Sequence, residues 1–188
     1  REERIAIALN MGNAGNIQRL LDGEGWTQAQ IQPLLDTITP EEADFVQAVW
    51  DFFESYRPEI AAKERRVMGK EPEWVEPQPL SLGGKTLRGG YYPIKYDSAR
   101  SGRAEQHAAA EEARQQMRGA YTTATTRRSF TKARAAEVTG RPLVYSLAGL
   151  YQGANEVIHD LTWHEWLIDA NRLVRALDGV IRTHYGPE

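Results

Sequence analysis

The strongest constraint on the fold lies between Thr39 and Gly69. Phe45, Val49, Phe52, Phe53 and Tyr56 recur at i, i+4, i+7, i+8 and i+11, the spacing of one face of an α-helix. Val46 and Trp50 widen that face, so the helix has neighbours on more than one side. No polar residue interrupts the stripe, and it reads as core with Phe45, Val49 and Phe52 at its centre. Thr39 suits the N-cap, Pro40 the first helical position, and Glu42 stands where a capping box needs it. Pro58 falls inside the pattern. It has no N–H to give, and its ring meets the carbonyl of Glu54. The helix therefore breaks near Ser55–Arg57, and a second piece runs from Pro58 to Met68 and stops at Gly69.

A chain of 188 residues can bury a real core without staples. The absence of cysteine excludes disulfides and thiolate metal sites. A net charge of −3 offers no global polycation for nucleic acid. No apolar run reaches the ~20 residues of a membrane helix, so no membrane span is expected. The first residues are charged, the first is not methionine, and the chain reads as a fragment of a much larger protein.

Before the central helix, Ile5, Ala8 and Leu9 make a short helical stripe. Asn10, Gly12, Asn13, Gly15 and Asn16 break it with turn chemistry. Ile17, Leu20 and Leu21 restart it, with Asn13 or Asn16 as cap and Gly23 as stop. Gly12 and Gly15 do not make a phosphate loop, because no strand precedes them and no Gly-Lys-Ser/Thr follows. Thr27 caps a helix that turns Ile31, Leu34, Leu35 and Ile38 inward, with Pro33 uncomfortably deep. Residues 70–101 cannot be helical. Leu80–Leu82 and Lys85–Leu87 read as a hairpin around Gly83-Gly84, and Gly89–Asp97 as an extended arm with aromatic anchors. A helix follows from Ser101 to Gly119, then a threonine-rich loop over 121–131 and a short helix to Gly140. The last helical region, Ser146–Leu177, carries Leu147, Leu150, Ala154, Val157 and Leu161, extended by Tyr151 and Ile158. Leu167, Ala170, Val174 and Leu177 continue on a rotated face, which predicts a kink near Leu161–Thr162. The expected architecture is mainly α: one domain over 1–188, an irregular bundle with a Pro/Gly-rich excursion at about 70–100. Its expected core includes Phe45, Val49, Phe52, Leu150, Val157, Ile158 and Leu161.

Three stretches carry candidate chemistry. The first is His159, Asp160, His164 and Glu165. Asp160 and His164 are four apart and can share a ligand on one helix face, whereas His159 and His164 are five apart, about 140° round the helix, poor for one ion. The competing reading packs Trp163 and Trp166 and leaves the polar residues in water or paired with arginines such as Arg172. No metal and no cofactor is expected. The second stretch is basic: Arg114, Arg118, Arg127, Arg128, Lys132 and Arg134, interleaved with Tyr121 and Phe130. Cations beside aromatic faces suit a phosphate backbone and stacked bases, although such runs also serve as solvated faces. The third is the arm, Arg88, Tyr91, Tyr92 and Tyr96. Its tyrosines suit a docking surface, or they fasten the arm to its own helices. No GxSxG elbow and no cysteine nucleophile is present, so no catalytic residue is assigned.

Several strings, in order and across essentially the whole chain, carry a resemblance: ALNMGNAGNIQRLLDGEGWT, FVQAVWDFFESYRPEIAAKERRVMG, KTLRGGYYPIKYD, RGAYTTATTRRSFTKAR and VIHDLTWHEWLIDANRLVRALDGVIRTHYGPE. They resemble an internal segment of the large multidomain, or polyvalent, proteins of tailed bacteriophages and prophages. One departure is Arg57 before Pro58, where relatives tend to have tryptophan. The resemblance implies a non-catalytic structural or docking module, joined in the same polyprotein to varied enzymatic modules. It implies an internal virion protein delivered with the DNA, located in the virion interior and in the bacterial host cytoplasm. Its partners would be flanking modules or other virion proteins. The alternatives from the residues themselves are a nucleic-acid-binding module using 114–134, or a metal-dependent enzyme using His159–Asp169.

Overall fold

The computed structural model describes residues 1–97, Arg100 and 142–185. The helix expected from Ser101, the threonine-rich loop and the short helix before Gly140 lie outside the described residues. The chain is mainly helical. Its elements are α1 (Glu2–Leu9), a 3-10 turn (Asn10–Gly12), α2 (Ala14–Glu24), α3 (Gln28–Leu35), α4 (Pro40–Glu54), α5 (Arg57–Met68), β1 (Leu80–Leu82), β2 (Lys85–Leu87) and α6 (Ala148–Tyr185). The strands form an antiparallel hairpin with Leu80 opposite Leu87. Gly83 and Gly84, at φ 58° and 73°, make its two-residue turn, a conformation that side chains resist.

Local chemistry sets the helix ends. Thr39 Oγ1 accepts from Glu42 N at 3.3 Å, and Glu42 Oε2 accepts from Thr39 N at 3.1 Å, which completes the capping box. The buried Glu42 carboxylate also accepts from Arg4 Nη2 at 2.6 Å and from Arg1 Nε at 2.8 Å. The Thr39 backbone N–H, helped by both arginines, holds this carboxyl down at about 2. Asn13 caps α2 through Asn16 N at 2.9 Å. α2 runs past Gly23 and stops at Gly25, which takes the left-handed conformation. Pro33 lies within α3, which ends two residues later. The chain breaks at Ser55–Tyr56, and Pro58 sits in the first turn of α5, where its missing N–H costs nothing.

The core differs from the expected one at α4. Phe45 and Phe52 are 41% and 40% exposed, and the buried face is Ala43, Val46, Val49, Trp50 and Phe53. The apolar arc is wider than one contact face, and the buried part centres about 100° round the helix from Phe45. Trp50 decides the rotation. Its ring is fully buried, and its Nε1–H donates to the Leu9 carbonyl at 3.0 Å, tying α4 to α1. Phe52 stacks edge-on against Phe53 and Tyr56 at the rim.

The arm threads between α2 and α4. The Gly12 carbonyl accepts from Gln78 N at 2.8 Å and from Gly90 N at 2.9 Å. Asn13 Nδ2 donates to the Gly90 carbonyl, and Asn16 Nδ2 donates to the Tyr92 carbonyl. A side chain at Gly12 would put its Cβ 2.5 Å from the Trp50 ring. The Asn/Gly stretch is thus a clamp for the arm as well as a turn. The end of the arm pairs with residues 142–144: Asp97 N donates to the Pro142 carbonyl and Val144 N to the Lys95 carbonyl, each at 2.9 Å, and Tyr96 bridges Leu143.

α6 is one helix of 38 residues, with no break at the expected kink. Val157 and Leu167 are buried, Leu150 and Leu161 are half-buried, and Ile158 is 46% exposed rather than in the core. No helix among the described residues is long and apolar enough to cross a membrane.

Candidate functional site: a buried charge cluster and a projecting helix

α5 packs on the first half of α6. Ile60 and Ala61 on α5 and Val157 and Leu167 on α6 are buried apolar residues, and the groups that pair the two helices are charged. Lys63 is 1% exposed, and its Nζ donates to Asp160 Oδ2. Glu64 Oε1 lies 3.3 Å from the same ammonium, and His164 Nδ1 lies 3.7 Å from Asp160 Oδ1. Glu64, Asp160 and His164 are all buried. One turn further along α5, Arg66 donates to both carboxylate oxygens of Glu165 at 2.7 Å, and that hydrogen bonding holds the Glu165 carboxyl below its usual value. Nearer the start of α6, Lys95 on the arm pairs with Glu156 at 2.9 Å.

Two carboxylates and an imidazole are a donor set that zinc or manganese accepts, and one atom from each of Glu64, Asp160 and His164 falls within 4.8 Å of the others. Lys63 changes that arithmetic. Its ammonium is already in reach of both carboxylates, so the cluster holds its own cation. Its chemistry as it stands is a charge lock between two helices. Buried charges are tolerated only when paired in this way.

The structure separates the sequence candidates. Asp160 and His164 are brought together, facing α5. His159 points to solvent, and Glu165 turns to Arg66. Lys63 and Glu64 were not candidates, although they stand three and four residues after Ile60, on the face that Ile60 buries. The reading that packed the tryptophans and left the polar residues in water or paired with arginines holds for His159 and Glu165 and is inverted for the tryptophans, Asp160 and His164. Trp163 and Trp166 are 46% and 56% exposed, their rings edge-to-face at 5.6 Å, while Asp160 and His164 are buried. Arg172 pairs with Asp169 at 3.2 Å on the exposed side. Arg114, Arg118, Arg127, Arg128, Lys132 and Arg134 lie outside the described residues.

The arm is an internal fastener. Tyr91 and Tyr92 are 8% and 3% exposed, against the exposure a docking surface needs. Tyr91 meets Phe53 edge-on, its N–H donates to Glu54, and burial pushes the Tyr92 hydroxyl up to about 12. Arg88 pairs with Asp51, and Tyr96 is half-buried beside Leu143.

Among the described residues, the far half of α6 is the longest stretch open to a partner. Every residue from Asn171 to Val180 is exposed, and Leu173, Val174, Leu177 and Val180 make an apolar stripe there. No family model, no curated protein and no solved structure matches this chain.

Proposed function

We propose that this chain is a non-catalytic structural and docking module of a larger multidomain protein of the phage polyvalent kind, and that the projecting half of α6 is its docking element. One observation carries the reading: α6 leaves the body at about Ala170 with apolar side chains still facing outward. An isolated helix of this length is marginal in water, and most helical stability comes from packing an amphipathic face. A helix of this kind gains its stability where the stripe is covered. The charge lock supports the same reading, because it anchors the root of that helix to the body. The test is co-purification of this chain with the segments that adjoin it in the full-length protein. L173E and L177E should abolish the association and leave the melting temperature of the body unchanged. Retained association with both substitutions present overturns the proposal.

A further inference from the structure

α6 has two apolar faces. One, through Val157 and Leu167, is covered by its own domain. The other runs through Trp163, Trp166, Ala170, Leu173, Leu177 and Val180, at steps of three, four, three, four and three. That is the repeat of a coiled-coil seam. It spans about 26 Å of helix and lies roughly opposite the covered face.

We infer that this seam pairs antiparallel with the same seam of a second copy of the chain. The inference rests on the docking reading and names the partner. Three features of the seam select a second copy. The first is self-complementarity in size. With a two-fold axis between Asn171 and Arg172, Trp163 meets Val180 of the other copy, Trp166 meets Leu177, and Ala170 meets Leu173. Each layer then pairs a larger side chain with a smaller one, so the layers differ less in bulk than in a parallel pairing. A parallel pairing would stack tryptophan on tryptophan at one level and alanine on alanine at the next, which no single helix separation fits. The second is charge. Arg172, Arg175 and Asp178 occupy the side of the helix away from the seam, and Asp169 at its edge is already paired with Arg172, so closing the seam buries no unpaired charge. The third is area. Trp163, Trp166, Leu173, Leu177 and Val180 are each between 46% and 62% exposed, and Val174, flanking the seam, is 63% exposed. Together they offer on the order of 700 Å² per copy, close to the ~800 Å² per partner of a standard interface. The paired tryptophans supply the aromatic anchors in which interfaces concentrate their energy.

The test is sedimentation of the 188-residue chain from about 1 to 100 μM, a range that brackets a micromolar dissociation constant. A concentration-dependent dimer is expected. L173E and L177E should each weaken it by at least about tenfold, with circular-dichroism melts unchanged at concentrations where the native chain is monomeric, since neither side chain is buried in the monomer. Orientation is read by cross-linking, because the chain has no cysteine of its own. A mixture of the W163C and V180C chains should form the mixed disulfide, and V180C alone should not cross-link to itself. A strictly monomeric chain, or efficient cross-linking of V180C to itself, overturns the inference. A monomer that binds phosphatidylglycerol vesicles through the stripe also overturns it, in favour of a lipid surface. If the chain is monomeric but L173E still abolishes association with its adjoining segments, the second-copy inference falls and the docking reading stands. If neither assay responds to L173E, both fall.

Discussion

Replacing Lys63 by methionine tests the charge lock most directly. Methionine keeps the length and much of the volume of the side chain and removes only its charge. In the native cluster one ammonium faces the carboxylates of Glu64 and Asp160, with His164 beside Asp160. K63M leaves both carboxylates buried with no ammonium between them. Removing one partner of a buried pair costs about 3–5 kcal/mol, and here two acids lose the same counter-ion, so the upper part of that range is expected. D160N is the informative contrast. It removes one acid and leaves Lys63 with Glu64, a balanced pair, so its cost should be about 1–3 kcal/mol, that of a weakened hydrogen bond. The assay is urea unfolding followed by circular dichroism at pH 7, with the slope m checked for constancy. Zinc gives a second readout. Without the ammonium, the Glu64, Asp160 and His164 donors can take a divalent ion, so zinc should raise the melting temperature of K63M more than that of the native chain. Equal and small losses for K63M and D160N, or a larger loss for D160N, would refute the view that Lys63 is the cation of this cluster.

Three further outcomes are expected. F53A should cost about 3–5 kcal/mol and F52A well under half of that, because Phe53 is fully buried and Phe52 is 40% exposed; denaturant melts of the two variants compare them. Glu42 is held down at about 2, so its contribution to stability is complete above the ordinary glutamate range and is lost as pH falls towards 2; E42Q should flatten the acid limb of a stability-against-pH curve. Asp97 and Pro142 are hydrogen-bonded neighbours, so replacing residues 98–141 with a two-residue Asn-Gly turn should leave the thermal melt of the body cooperative. Loss of salt-dependent DNA binding in that variant would assign such binding to the basic stretch Arg114–Arg134, and a non-cooperative melt would show that the body needs the replaced residues.

Local signals in the sequence are legible where one residue fixes one feature. Thr39, Pro40 and Glu42 set the start of α4, Pro58 placed the break before α5, Gly69 ended it, and Gly83-Gly84 turned the hairpin. The prolines act through a missing N–H and the glycines through a missing Cβ, covalent properties that no neighbour can override, and Thr39 and Glu42 act through hydrogen bonds between residues only three apart. The rotation of α4 was not legible, because its apolar residues cover more of the helix than one neighbour can bury. Phe45 and Phe52 fit the stripe as well as Val46 and Phe53 do. What separates them is the Trp50 Nε1–H finding the Leu9 carbonyl, a contact across 41 residues that no periodicity announces.

The candidate site shows the same limit from the opposite side. Hydropathy places tryptophan inside and aspartate outside, and at Asp160, Trp163 and Trp166 the structure does the reverse. Aspartate can be buried only where a cation comes with it, and the cation for Asp160 is 97 residues away on α5. Only the pairing of α5 with α6 brings the two together, so the sequence around Asp160 could not announce its burial. The i, i+4 spacing of Asp160 and His164 did mark a shared face, and the i+3 and i+4 positions after Ile60 marked Lys63 and Glu64 on another. Two such marks on separate helices, each polar within an apolar frame, are the sequence signature of an ion-paired helix contact. With Asp160 and His164 turned inward, the helical period carries Trp163 and Trp166 towards solvent, in line with Leu173, Leu177 and Val180. The charge lock that holds the root of α6 on the body therefore also aims the apolar seam away from it.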